Sequence, residues 1–310
     1  MNNFRSKYLI RLLIISIFLS KIYVDNITPT KLTPTLENKT ALAQLEYNTI
    51  YNNLKDHALI IFSEIINTKN VINIFTQANN GSSIEQSYLR EKLYTELLES
   101  YQRLNNLVNL KQLHFHLKNN RSFLRMHKPN KFGDDLTDIR ESVKYANKYK
   151  TNVYGFEAGR LNEGYRFVFP LFDELKNHIG SVEVSFPAKA LVKSIKSDLY
   201  NPLFIIKESV VRKRAWSEYS SKFMNTAISD DFVISSSSKM ISQVIMTQDI
   251  KDEFSKHSME AKAYSTYIKM KHRSVIASFI PVRNAINKEL VAYGVLLSTQ
   301  ILLNIFMTIN

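Results

Sequence analysis

His114 and His116 stand two apart in Leu113-His114-Phe115-His116-Leu117, and Arg121, Phe123, Arg125 and His127 alternate through the run just after it. On an extended chain successive side chains point to opposite faces. The first run then sets its histidines against Leu113, Phe115 and Leu117, and the second sets its cations against Ser122, Leu124 and Met126. The polar triplet Lys118-Asn119-Asn120 between two such runs reads as the turn of a hairpin. Imidazoles and guanidiniums gathered on one side of a sheet need water or an anionic partner. Carboxylates follow at Asp134, Asp135 and Glu157, with Arg160 and Tyr165 beyond. A guanidinium grips a carboxylate with two parallel hydrogen bonds, and a carboxylate accepts from an amine. The chemistry implied is recognition of a small polar molecule. For each of these residues the plainer alternative is a fold-stabilising contact, such as an Arg–Asp pair fixing a loop.

Read as metal chemistry, His114, His116, His127 and Asp134 would make a hydrolase site. No spacing here matches a zinc signature, and no nucleophile elbow, P-loop or dinucleotide glycine pattern occurs. No catalytic activity, bound metal or other cofactor is expected. The chain has no cysteine, which excludes disulfides and thiolate chemistry. Its net charge of +13 is spread thinly, with short clusters such as Arg212-Lys213-Arg214, and no nucleic-acid motif accompanies it. Nucleic acid is not an expected partner.

The elements that must position these residues begin at the N-terminus. Arg5 and Lys7 precede an apolar run from Tyr8 to Val24, which as a helix would reach about 25 Å, close to the thickness of a bilayer core. With no small-x-small cleavage pattern after it, residues 1–24 read as an uncleaved membrane anchor with its positive end in the cytoplasm. Cleavage would instead release a secreted binding protein. Pro29 and Pro34 mark a short connector. Residues 36–110 then show helical periodicity: Ile50, Leu54, Ala58, Ile61 and Ile65 share one stripe up to about Gln77, and Leu89, Leu93, Leu97, Tyr101, Leu104 and Val108 share another. Asn79-Asn80-Gly81-Ser82 separates the two, and Ser83 with Gln86 predicts a capping box. Long stalk helices of this kind are expected to dimerise.

Beyond the opening hairpin the pattern predicts a helix from Thr137 to about Lys150, a tight loop over Gly155–Arg160, and a second hairpin, Tyr165–Asp173 with Ile179–Phe186. Residues 188–200 read as a connecting helix. The hairpin's ending then recurs about 110 residues later: Phe167 to Asp173 with Ile179 to Val184 is echoed by Phe279 to Asn284 with Val291 to Leu296. Such a period indicates a duplicated domain. In the second copy Phe204-Ile205-Ile206 and Phe232-Val233-Ile234 read as strands, and Arg214 through Asn225 as polar helix or turn. The fold class is α+β, with antiparallel sheets.

These strings, LHFHL with RSFLRMHKP, GFEAGR, GYRFVFPLFD and IGSVEVSF, resemble the double Cache (PAS-like) sensory domains of bacterial receptors that precede histidine kinases, diguanylate cyclases and chemoreceptor outputs. The resemblance covers about residues 37–298. It implies a membrane-distal module over 111–187, a proximal module over 201–298, and the start of a C-terminal helix over 299–310, where the chain stops short of an output domain. It further implies an inner-membrane protein with its sensory region outside the cytoplasm, binding a small polar molecule in the distal module, where the arginines and carboxylates would fit an amino acid or organic acid. The pocket residues implied are His114, His116, Arg121, Arg125, Asp134, Asp135, Glu157, Arg160 and Tyr165. Trp216 and Tyr219 are candidates to line a second pocket.

Overall fold

The computed structural model describes residues 2–159, 163–188, 190, 191, 195, 200–214, 222–235, 244, 245, 247–270 and 274–298; over residues 2–32 only the backbone and Ile15 are described. One helix, α1 (Asn2–Ile61), runs from the start of the chain through the positions of both Pro29 and Pro34, where a connector was expected. A π-helical turn (Phe62–Ile66) ends it, and α2 (Lys69–Asn80) begins after a break at Asn67 and Thr68. The stripe expected to continue to Gln77 therefore divides. Ile50, Leu54, Ala58 and Ile61 are buried as predicted, but the wider turn brings Ile66 rather than Ile65 into the core. In α3 (Ser83–Val108) Leu89, Leu93, Leu97 and Tyr101 are buried. Its capping box is made by Ser82 and Glu85, one residue before the expected pair. Among the described residues no single helix is long and apolar enough to cross a membrane, and the segment expected as an anchor falls where side chains are not described.

The first sheet has five antiparallel strands in the order β2-β1-β5-β4-β3: β1 (Gln112–His116), β2 (Ser122–Arg125), β3 (Val153–Ala158), β4 (Glu163–Phe172) and β5 (His178–Pro187). Both predicted hairpins form. The loop expected over Gly155–Arg160 is instead largely the edge strand β3, with Arg160 outside the described residues. Helix α4 (Glu141–Tyr149) starts four residues later than expected, because Asp135 accepts from both the backbone N–H and the hydroxyl of Thr137 and holds that stretch in a turn.

The second sheet has seven antiparallel strands in the order β7-β8-β6-β12-β11-β10-β9. They are β6 (Tyr200–Lys207), β7 (Phe223–Asn225), β8 (Phe232–Ser235), β9 (Val244–Ile245), β10 (Tyr264–Met270), β11 (Ser274–Arg283) and β12 (Leu290–Ser298), with α5 (Glu208–Arg214) and α6 (Gln248–Glu260) between them. The run β8-β6-β12-β11-β10 has the connectivity of β2-β1-β5-β4-β3, the structural form of the repeat seen in the sequence. Phe223–Asn225 is a strand rather than the expected helix or turn; Trp216, Tyr219 and eight of the thirteen residues 188–200 expected as a connecting helix lie outside the described residues.

Helix α1 lies along both sheets. Thr40 donates to Ser265 Oγ on β10 at 2.8 Å, the Tyr47 and Tyr165 hydroxyls meet at 2.9 Å, and Phe62 stacks on Phe169 with ring centroids 4.4 Å apart. The apolar faces of the two sheets join under this helix in one core that includes Phe75, Phe115, Phe167, Ile280 and Ala292. The other face of the second sheet packs on α6 through Phe254, Phe279 and Tyr293. On the remaining face of the first sheet α4 packs through Val143 and Ala146 on Val153 and Val168, beside buried polar residues of β1, β4 and β5.

Candidate functional site

The register of the first sheet decides which side chains meet. His114 pairs across to Arg125 on β2 and Glu183 on β5, and His116 to Ser181. On β4, Arg166 pairs with Ser185. Residues directly opposite share a face, so two histidines, two arginines, one glutamate and several serines are assembled on the side away from α1. A bulge in the first hairpin moves Phe123 out of this set. Phe123, expected beside the arginines, packs into the core against Phe75, and Ser122 turns instead to His114 Nε2 at 2.8 Å.

Nearly all of the assembled groups are inaccessible to water: His114, His116, Glu157, Arg166, Glu183 and Ser181 are each at most 2% exposed. Buried charges persist only when paired. Arg166 pairs with Glu183 through Nη1 and with Glu157 through Nε at 3.4 Å. Glu157 in turn accepts from the Ser142 hydroxyl at 2.7 Å and its N–H at 3.3 Å, in the first turn of α4. At the rim Arg125 makes a bidentate pair with Asp134, both bonds 2.8 Å, and donates to the Lys131 carbonyl. His116 Nδ1 lies 3.2 Å from Ser181 Oγ, and the two imidazole rings stand 4.1 Å apart.

Burial and the surrounding cations keep the imidazoles neutral. His114 is held well below its ordinary pKa by burial, then by His116 and Arg125. His116 is lowered to about 3 by burial, with Glu183 opposing and Arg125 and Arg140 adding to it. Burial also works against ionising Glu183, but Arg166 and Arg140 outweigh it and bring that carboxyl down to about 2. Burial, then repulsion from Arg166, lowers Arg140 to about 10. Among the described residues, His116 Nε2, Glu183 Oε2, Arg140 Nη1 and His127 Nδ1 are buried atoms of this region without a hydrogen-bond partner.

The structure thus brings His114, His116 and Glu157 together, with Arg125 and Asp134 at their edge. Arg121 is exposed and donates to the Gly133 carbonyl, and Asp135 is an exposed turn cap. Tyr165 points to the opposite face, among Tyr47, Tyr51 and Phe156. Arg140, Ser142, Arg166, Ser181 and Glu183 complete the cluster without having been singled out in the sequence. A lone charge inside the apolar runs Gly164-Tyr165-Arg166-Phe167 and Ser181-Val182-Glu183-Val184 is the signal that marks two of them. A separate cavity of about 550 Å³ opens where the π-helical turn and the start of α2 meet the β4–β5 turn, lined by Phe62, Lys69, Lys150, Phe172 and Glu174 among others.

Two antiparallel sheets of equivalent strand order strung on one long helix define a double sensory-domain fold. Residues 46–289 match the dCache_3 family, the double sensory domain of two-component sensor kinase, and the chain belongs to that family. Cache domains of this type are non-catalytic, extracytoplasmic sensory parts of membrane receptors. No curated protein is significantly similar to the chain in sequence. Among solved structures, the chain is similar to the ligand-binding domain of the Campylobacter jejuni chemoreceptor Tlp3 in complex with 4-methylisoleucine, at 12% identity and a TM-score of 0.46, covering 86% of this chain and 90% of that one. It is also similar to the sensor domain of the V. cholerae histidine kinase DctB, at 9% identity and a TM-score of 0.40, covering 84% and 99%.

Proposed function

We propose that the chain senses a small polar, carboxylate-bearing molecule outside the cytoplasm, bound on the polar face of a membrane-distal module spanning residues 111–187. A connector over 188–200 leads to a proximal module over 201–298. The observation that carries this reading is the set of buried groups left without partners. A guanidinium N–H at Arg140 and a carboxylate oxygen at Glu183, both shielded from water, are an unmet donor and an unmet acceptor, and an unmade buried hydrogen bond is costly. A ligand with an acidic group for Arg140 and a donor for Glu183 satisfies both. The Arg125–Asp134 pair holds the loop after β2 at the edge of this face. Binding biases the arrangement of helix α1, residues 8–24 anchor the chain in the inner membrane, and the stalk helices of 36–110 pair two copies.

A thermal-shift screen of the chain against amino acids and organic acids tests this, since a ligand that binds only the folded state raises Tm by mass action. A carboxylate-bearing compound is expected to stabilise the wild type and to lose that effect in Arg140→Gln. Equal stabilisation of both proteins overturns the assignment of this face, and silence across the screen overturns the ligand class.

A further inference from the structure

We infer that His114, His116 and Glu183 form a binding site for an imidazole-preferring divalent transition metal of the zinc or nickel kind. One donor atom from each residue lies within 4.8 Å of the other two, and all three residues are buried. Donors around a tetrahedral zinc at about 2.1 Å stand roughly 3.4 Å apart. The set therefore has to draw in by at most about 1.4 Å to hold the ion.

Two of the three donors are poised in the sense that counts for a ligand. His116 Nε2 and Glu183 Oε2 are buried and partnerless, while the other nitrogen of His116 and the other oxygen of Glu183 are held by Ser181 and Arg166. This is the division of labour of a metal ligand and its supporting shell: one atom faces the ion and the other is fixed by a hydrogen bond. His114 is likewise fixed, through Ser122. Two nitrogens and one carboxylate suit zinc or nickel; calcium and magnesium require a shell of oxygens that is absent from this cluster. Three protein donors leave a position open.

The site shares Glu183 with the carboxylate-sensing reading, but its probe is the metal alone, so the failure of one is distinguishable from the failure of the other. The full chain is stripped with chelator, then titrated with Zn²⁺ and with Co²⁺ in chloride buffer. The expected result is one ion per chain, a rise in Tm, a Co²⁺ ligand-field absorption in the visible, and no response to Mg²⁺ or Ca²⁺. In His116→Gln, which keeps a polar side chain in place, the Tm of the metal-free protein is expected to stay measurable while the cobalt band and the bound equivalent are lost. Absence of stoichiometric zinc in the wild type overturns the proposal without recourse to any variant. So does binding that survives in both His114→Gln and His116→Gln.

Discussion

The Ala285 N–H donates to the Phe156 carbonyl at 2.9 Å, fastening the edge of the first sheet to the β11–β12 turn of the second. A parallel bridge between Phe156 and Asn284 adds to the joint. Gly155 makes the approach possible: at φ +147° it lies where glycine is favoured, and a Cβ there would meet the Ala285 Cα at 2.9 Å. Since Glu157 of the buried cluster is two residues along the same strand, the joint connects the polar face mechanically to the second sheet. Gly155→Ala is expected to cost about 1–3 kcal/mol, read as a fall in the urea midpoint. An unchanged midpoint would show that the joint yields freely.

Acid is expected to destabilise the protein well above the carboxylate range. In the unfolded chain a histidine takes up its proton near pH ~6.5. In the folded protein His116 does so only at about 3. His127 does so only at about 4, lowered first by burial and then by Lys111. Stability from these groups is therefore complete above pH ~6.5 and falls as pH drops toward those values, by up to about 1.4 kcal/mol per pH unit for each. Glu183, lowered to about 2, adds its own loss only below the ordinary carboxylate pKa near ~4.3. Chemical denaturation between pH 7 and 5 checks this; His116→Gln flattens the slope, and a pH-independent midpoint would contradict it.

The hydroxyls of Tyr47 and Tyr165, 2.9 Å apart, form an isolated polar contact within an aromatic cluster. Burial raises the pKa of both. Removing either hydroxyl leaves the other buried without a partner, so Tyr47→Phe and Tyr165→Phe are each expected to lose about 1–2 kcal/mol. The double variant should lie close to the wild type, because replacing both partners together removes the unmet group. Additive losses in a double-mutant cycle would refute the contact.

Arg125 and Asp134 form the rim pair. The Asp134 side chain is 38% exposed, so solvent screening limits the pair's coupling to about 1 kcal/mol. Asp134 ionises below its ordinary pKa despite partial burial, because Arg125 bonds it. Arg125→Ala is expected to expose the 126–135 loop to protease before it lowers global stability. Unaltered cleavage would show that the loop is held by other contacts.

Much of this was legible because period-2 alternation reports faces. His114 with His116, and the core residues Leu113 and Phe115, fall where the pattern puts them. Alternation is blind to a bulge: it sets Phe123 beside the arginines, whereas the extra residue there reverses parity without altering composition. The same parity rule sets Tyr165 and Arg166 on opposite faces, so only the arginine joins the polar set. Glu183 is visible from sequence only as a charge among valines, and its pairing with Arg166 depends on strand register across a hairpin. Arg140 is the residue at the start of α4, where side-chain direction does not follow the helical period. The break at Asn67 was hidden for a related reason: apolar spacing continues through the π-helical turn, and a single extra residue per turn leaves the stripe looking intact.

Thr40 and Tyr47 are seven residues apart on α1, which is two turns of helix, so their hydroxyls emerge on nearly the same side. One touches the second sheet and the other the first. Turning α1 about its own axis therefore releases both sheets together, whereas a bend between the two positions can release one and keep the other. The helix behaves as a key with two teeth in two locks, and the motion that disengages a single module is a flexure over two turns rather than a rotation of the whole rod.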